Sequence, residues 1–425
     1  MAVGEIRLRG KALAIAAIIL FALVAWWGSS WRDTSAPAEQ ARLTAPLDNP
    51  EKLHNLKIDY RALDDRIGAL MRRKDMTGLS VAVVEQGRLT FAKGYGTTIA
   101  GGGEPVSPAT VFRWASLSKG VASTLVAKMV AKGQLDFVHS PAFYRSSLRL
   151  PDHAEERVTL LDILSHRLGL PKNAYDGRLE GGKSPREIRR SLADVSPVCP
   201  PGTCHSYQNV AFDSVSEIVE RASGRRYAAM VRDTLFRPLG MTSASIGSAG
   251  IKASEHWARP SHNERELELA EAYYRVPAAA GVNSNIVDMA RWMTAQMGET
   301  PRVLSPAVLD VIHRPRVATA RPYGGSTFGR ALDHPAYGLA WRSFDFRGHH
   351  LVGHSGAVAG YRSTLIFDPK AKVGIAMLWN SDSSVPFRLP GEVLDDYYGE
   401  PFTDFLDLGD APAKARERPA AKSEL

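Results

Sequence analysis

Strand-forming patterns occupy the two ends of this chain and are nearly absent from its middle. Near the start, "LSVAVVEQGRLTFAKGYG" (79–96) holds two β-branched runs joined at Gln86-Gly87, the pattern of a hairpin. Strand patterns return in "YGLAWRSFDF", "HHLVGHSG", "YRSTLIFDP" and "KVGIAMLWN" (337–380). Between about 150 and 275 the apolar residues recur at helical spacing, as in "TLLDILSHRLGL" and "FDSVSEIVERASG". This order excludes alternating βα units with a parallel sheet. It predicts an α+β fold: one antiparallel sheet assembled from both ends of the chain and flanked by helices, with an all-helical insert at roughly 116–280. One flanking helix, "DYRALDDRIGALMRRKD", places Tyr60, Leu63, Ile67, Leu70 and Met71 on a single face.

The first thirty residues have another character. Arg7, Arg9 and Lys11 precede the uncharged run Ala12 to Gly28, which as a helix spans roughly 25 Å, marginally enough for a bilayer core. The basic flank keeps the N-terminus in the cytoplasm and exports the rest, and Trp26, Trp27 and Trp31 suit an interfacial belt. A cleaved signal peptide is the rival reading, but its small-residue site, Ala36-Pro37-Ala38, is distant and carries a proline. The expected organisation is a transmembrane anchor within 1–30, a linker over 31–55, a folded domain over 56–405 and a disordered polar tail over 406–425.

A net charge of +8 and a pI near 9.4 bring nucleic acid into question. Arg and Lys are scattered, however, and the densest run, "AKARERPAAK", is short and mixed with acid, so no nucleic-acid partner is expected. Attraction to an anionic membrane or cell-wall surface suits the charge equally well. Export also governs the two cysteines, Cys199 and Cys204 in "CPPGTC". In an oxidising compartment a short-loop disulfide is the default, and two sulfurs do not make a zinc site.

"VGHSGAVAGY" resembles the nucleophile elbow of a lipase at Ser355. That chemistry needs a histidine downstream of the serine, and His354 is the last one in the chain. The residues after Ser355 read as strand rather than helix, so Ser355 is not the nucleophile. The serine that fits is Ser116 in "FRWASLSKG", an S-x-x-K with Lys119 where a strand-rich segment meets an apolar helix. Residues at i and i+3 share a helix face roughly 5–6 Å apart, so the amine reaches the hydroxyl. The helix start also offers free N–H groups to an oxyanion. A serine hydroxyl needs a base, and a free lysine is neutral only about once in a few thousand molecules at pH 7. Burial and a second cation lower such a pKa by ~3 units.

"CHSYQNVAF" adds Tyr207, a phenol able to relay protons, and Asn209, whose amide suits a substrate carbonyl or, alternatively, an N-cap of the next helix. The Cys199–Cys204 staple would fix this loop just before Tyr207. On an edge strand beside the helix, His354 would present a positive or hydrogen-bonding group to the tyrosine and a substrate carboxylate. Gly356 would leave room for substrate, and the Ala357 N–H would join that of Ser116 as an oxyanion donor. His349, His350 and His354 lack the carboxylate or H-E-x-x-H pattern of a metal site. Gly101-Gly102-Gly103 lacks the Lys-Ser/Thr of a phosphate loop. No metal or cofactor is expected.

The ordered series S-x-x-K, Y-x-N and a basic residue before Gly resembles the serine β-lactamase and penicillin-binding-protein superfamily, nearest its class C β-lactamase-like branch. "TLLDILSHRLGLP", "FRPLGM" and "GHSGAVAGY" add to the likeness, which extends from about Leu79 to Asn380. The resemblance implies Ser116 as acylated nucleophile, Lys119 and Tyr207 as its proton carriers, Asn209 as a substrate contact, and His354-Ser355-Gly356 in place of the family's Lys-Thr-Gly. Histidine there departs from typical class C β-lactamases, and makes a stable acyl-enzyme with penicillin more fitting than efficient β-lactam hydrolysis. The implied function is a serine hydrolase of peptides ending in D-amino acids, or of small esters and amides, in the bacterial periplasm with peptidoglycan as a candidate partner. An esterase or acyltransferase on the same scaffold and a non-catalytic cell-wall-binding module are the alternatives. If the staple holds the Tyr207 loop, Cys204→Ser lowers stability by ~2–3 kcal/mol; an unchanged melting temperature would count against it.

Overall fold

Gln86 and Gly87 both adopt positive φ, 55° and 72°, the pair of left-handed conformations that a two-residue hairpin needs to match strand twist. Glycine takes the second place because the absent Cβ removes the steric cost. The turn joins β1 (Gly78–Glu85) to β2 (Arg88–Ile99) in the computed structural model, which describes residues 55–409. The other strands of this sheet are β3 (Gly102–Pro105), β4 (Val317–Ala318), β5 (Leu332–Tyr337), β6 (Arg342–Phe346), β7 (His349–Val358), β8 (Tyr361–Asp368) and β9 (Val373–Trp379). The spatial order is β3-β2-β1-β9-β8-β7-β6-β5-β4, antiparallel throughout. First and last long strands are neighbours, with Leu79 opposite Trp379, so the sheet is assembled from both ends as the sequence predicts.

Helices cover both faces. The principal ones are α1 (Tyr60–Met71), α2 (Ser118–Ala131), α3 (Ser214–Ser223), α4 (Ile286–Gln296) and α5 (Leu389–Tyr398). Alternation along β1 sends Leu79, Val81 and Val83 to one face, where Leu63 and Ile67 of α1 and Val393 and Leu394 of α5 close the core. Ala82 and Val84 point to the other face, against a larger core that includes Leu125 of α2 and Met289 and Trp292 of α4. Every residue of β1 is buried for this reason. The insert over 116–280 is not all-helical as expected: beside α2, α3 and short helices such as Leu160–Leu164 and Asp176–Glu180 it holds two-residue strands at Ser245–Ile246, which pairs with Val282–Asn283, and at Ser261–His262 and Arg265–Glu266, which pair with each other. A small sheet, in which Phe112 pairs with Ser284, ties its start to its end.

Three further expectations need correction. "YGLAWRSFDF" is not one strand, because the chain turns between Tyr337 and Arg342, which face each other across a hairpin. Leu332–Tyr337 forms a strand despite Pro335, which falls in an irregularity of the ladder between Asp333 and Ala336, where no N–H is required of it, while its carbonyl accepts the Thr319 N–H at 2.9 Å. On α1 the inward face holds Arg66 as well as the apolar residues, and Met71 is only partly buried. Arg66 is 5% exposed and grips Glu392 of α5 with two bonds of 2.8 and 2.9 Å. Glu392 in turn accepts the N–H of Leu406 at 3.0 Å, and Phe405 and Leu406 are buried, so the fold continues past the expected start of the tail. The expected anchor over 1–30, the linker up to residue 54 and the tail from 410 lie outside the described residues. Among the described residues no helix is long and apolar enough to cross a membrane. Arg66→Met leaves Glu392 buried without its cation and is expected to cost about 3–5 kcal/mol in urea unfolding.

Candidate active site

Ser116 does not lie in the first turn of α2 but in the 3₁₀ turn Ala115–Leu117 that runs into it. Ala115 is held at φ 49°, a left-handed conformation that costs a residue with a side chain ~1–3 kcal/mol. The surroundings enforce it. Trp114 donates its N–H to Val282 O (2.9 Å) and its indole N–H to Ser284 (2.8 Å), and its carbonyl accepts from Ser363 (2.6 Å). Ser118 donates to Ala115 O at 2.7 Å. These bonds fix the turn that presents Ser116.

Lys119 is fully buried, and its ammonium makes three contacts: Asn209 Oδ1 at 2.7 Å, Ala279 O at 3.1 Å and Ser116 Oγ at 3.4 Å. The Tyr207 ring lies 4.6 Å and the Phe212 ring 5.5 Å from Nζ. Burial lowers the lysine pKa to about 7, while the charges of Asp176 and Asp213 oppose the fall. No second cation takes part in the lowering, contrary to expectation.

The loop carrying Tyr207 is laced to the turn at "SHRLGLP". His166 accepts the Ser206 N–H on its carbonyl (2.8 Å) and the Gln208 N–H on Nδ1 (3.2 Å), and its ring lies 4.3 Å from that of Tyr207. Cys199 and Cys204 are disulfide-bonded, and their loop is tied to the same turn through Val198 N to Gly169 O (2.8 Å) and Gly202 N to Arg167 O (2.7 Å). The Tyr207 phenol is buried without a hydrogen bond of good geometry; burial raises its pKa, and the Ser116 hydroxyl it faces pulls the other way. Asn209 does not cap a helix. Its amide N–H₂ donates to Asp176 (2.7 Å) while its oxygen accepts from Lys119, which fixes the orientation of the amide.

β7 lies inside the sheet, yet its partner β6 ends at the pair Arg342–Gly353, so residues 354–358 have a neighbour on one side only. Val358 and Tyr361 close a two-residue hairpin, and the alternation of an antiparallel ladder then turns the Ala357 N–H to the free edge. The missing side chain of Gly356 is not room for substrate. A methyl there would collide with the Trp114 carbonyl and lie 3.0 Å from Ser116 N, so glycine lets the strand close on the turn that carries Ser116. His354 is not a cation offered to substrate. Its Nδ1 donates to Ser355 O (2.7 Å) and its Nε2 accepts from the Tyr337 hydroxyl (2.9 Å), and burial, with the nearby charges of Arg342 and Lys119, holds it neutral. Ser355 bonds Tyr323 (3.0 Å) and Thr364 (3.2 Å), with no base beside it. His349 stacks on Tyr398 and His350 pairs with Asp345, away from His354.

Sequence reasoning missed Asp176, Asp213, Tyr337 and Arg342. The Arg342 charge acts on Tyr207, His205 and His354, and among the described residues it has no carboxylate partner.

The family described as Beta-lactamase matches residues 63–398. The chain is 28% identical to an unguisins hydrolase of Aspergillus campestris over 76% of its own length and 26% identical to penicillin-binding protein 4 of Amycolatopsis lactamdurans over 78%. It spans 61% of the fungal protein and 88% of the bacterial one. The fold matches an octameric penicillin-binding protein homologue from Pyrococcus abyssi (TM-score 0.72, 23% identity, 81% of this chain and 78% of that one). It also matches a class C beta-lactamase mutant (TM-score 0.65, 20% identity, 81% and 99%).

Gly356→Ala is expected to push the strand off the Ser116 turn and to slow acylation of Ser116 by about 10²-fold with far-UV circular dichroism unchanged. A normal rate would show that the close approach is not needed.

Proposed function

The chain belongs to the beta-lactamase family, and we propose that it is a serine hydrolase whose Ser116 is acylated by peptides ending in a D-amino acid or by small esters and amides. The hydrolase and penicillin-binding names of its relatives support the reaction type. One observation carries the reading: a dry amine with a pKa of about 7 lies 3.4 Å from the Ser116 hydroxyl.

In its neutral form Lys119 takes the Ser116 proton as Oγ attacks the acyl carbon. The oxyanion forms against the N–H groups of Ser116 and Ala357, where losing one donor typically costs ~3–4 kcal/mol of barrier. Tyr207 keeps its proton because burial disfavours the phenolate, so it suits a relay that donates to the leaving group and is reprotonated from Lys119. Water then attacks the acyl-enzyme, releasing the acid and restoring Ser116. Asn209 holds Lys119 and leaves one amide hydrogen for the substrate.

With His354 neutral, a cation beside the strand is Arg342, paired opposite Gly353, and its guanidinium, without a carboxylate partner among the described residues, suits the terminal carboxylate of a peptide. Peptidoglycan is the polymer that supplies such ends. The domain acts in the periplasm, held to the bacterial inner membrane by residues 12–28; the uncharged apolar run with its basic flank and the Cys199–Cys204 disulfide support that placement.

A fluorescent penicillin, with intact-mass detection, is expected to label the wild type and not Ser116→Ala. The rate of labelling rises with pH and levels off above about 7, because protonated Lys119 cannot accept the proton. Labelling of Ser116→Ala or a rate indifferent to pH would overturn the assignment; turnover of p-nitrophenyl esters without labelling would make it an esterase.

A further inference from the structure

We propose that Asp213 is a positioning residue that holds in place the two acceptors of the Lys119 ammonium other than the Ser116 hydroxyl. Those acceptors are Asn209 Oδ1 and Ala279 O. Asp213 reaches both segments. Its N–H donates to Asn209 O at 3.0 Å, and its carboxylate accepts the N–H of Ala278, the residue before Ala279, at 2.8 Å.

The placement is telling because Asp213 stands at the N-cap of α3, where an aspartate ordinarily accepts backbone N–H groups of its own helix. This side chain makes no such bond. It is turned instead to residue 278 and gripped on its other oxygen by Arg189 (3.1 Å) and the Ser216 hydroxyl (3.1 Å). Asp213 is 2% exposed and Arg189 is 6% exposed, so the arrangement is dry. Arg189 is itself steadied by Ser147 (2.8 Å) and Glu217 (3.6 Å).

The charged and titratable groups around Lys119 are few. Asp176 and Asp213 act on it as anions, His166 and His354 are held neutral by burial, and Tyr207 is kept as a phenol. Asp213 faces Arg189, the Tyr227 phenol and Lys119; burial pushes its carboxyl up and the Arg189 guanidinium is the main influence against that rise. Geometry and charge therefore come from one residue, and two variants separate them.

Asp213→Asn keeps an oxygen for Ala278 N–H but removes an anion that favours the protonated Lys119. The pH at which acylation levels off is expected to fall by roughly 1 unit. Asp213→Glu keeps the charge but misplaces it, so the limb stays in place while the rate falls by about 10²-fold. Should Asp213→Asn not fold, the Asp213→Glu rate still decides. Folded variants with the wild-type profile would overturn the proposal.

The inference rests on Lys119 serving as base in the proposed function, so a second readout is needed. The ¹³Cε titration of Lys119 in lysine-labelled protein, assigned by its loss in Lys119→Met, reports the amine without any acyl donor. A shifted titration in Asp213→Asn with no acylation of wild type by any donor would keep the positioning role and remove the catalytic one. Acylation with an unshifted titration and an unchanged rate in Asp213→Glu would do the reverse.

Discussion

Keeping one lysine dry is the constraint on which the rest of the site depends. Taking Lys119 from 10.5 to about 7 corresponds to about 5 kcal/mol of disfavoured charge, supplied by the fold as lost hydration. Burial alone would leave an amine with unsatisfied protons, and the three oxygens around it prevent that. The two buried carboxylates set the opposite limit, since without them the amine pKa would fall further. A pKa near the working pH is the compromise that general-base catalysis favours.

The dry chamber is built from separate layers. The 3₁₀ turn at Ala115–Leu117 and α2 supply Ser116 and Lys119, the loop after the disulfide supplies Tyr207 and Asn209, the short turn at 277–280 supplies a carbonyl, and β7 supplies the facing edge. Each is restrained by contacts away from the reacting atoms, as His166 restrains the loop and Trp114 the turn. Such support is what holds a strained residue such as Ala115 in place.

How much of this the sequence discloses depends on the range of the interaction involved. The hairpin at Gln86-Gly87, α1 and the sheet built from both ends are legible because alternation and turn chemistry are local. Ser116 with Lys119, and Tyr207 with Asn209, are legible because each pair is close in the chain. The states of the groups are not. His354 reads as a cation, but its charge is decided by a tyrosine from another strand and by depth of burial. Gly356 reads as space for a ligand, yet the atoms that fill the space come from residues 114 and 116. Arg66 is invisible to a periodicity of apolar residues, because its partner Glu392 is far along the chain.

The pairing of the first long strand with the last has a consequence for biosynthesis. As the polypeptide emerges, Ser116, Lys119 and Tyr207 all leave the ribosome before β7, β8 and β9 exist. Until β9 arrives, β1 has one unfilled hydrogen-bonding edge and apolar side chains on both faces, the kind of surface that adheres to other nascent chains. Prematurely terminated products therefore lack the strand that closes on Ser116, however complete their motifs, and depend on holding factors or rapid proteolysis to stay out of aggregates.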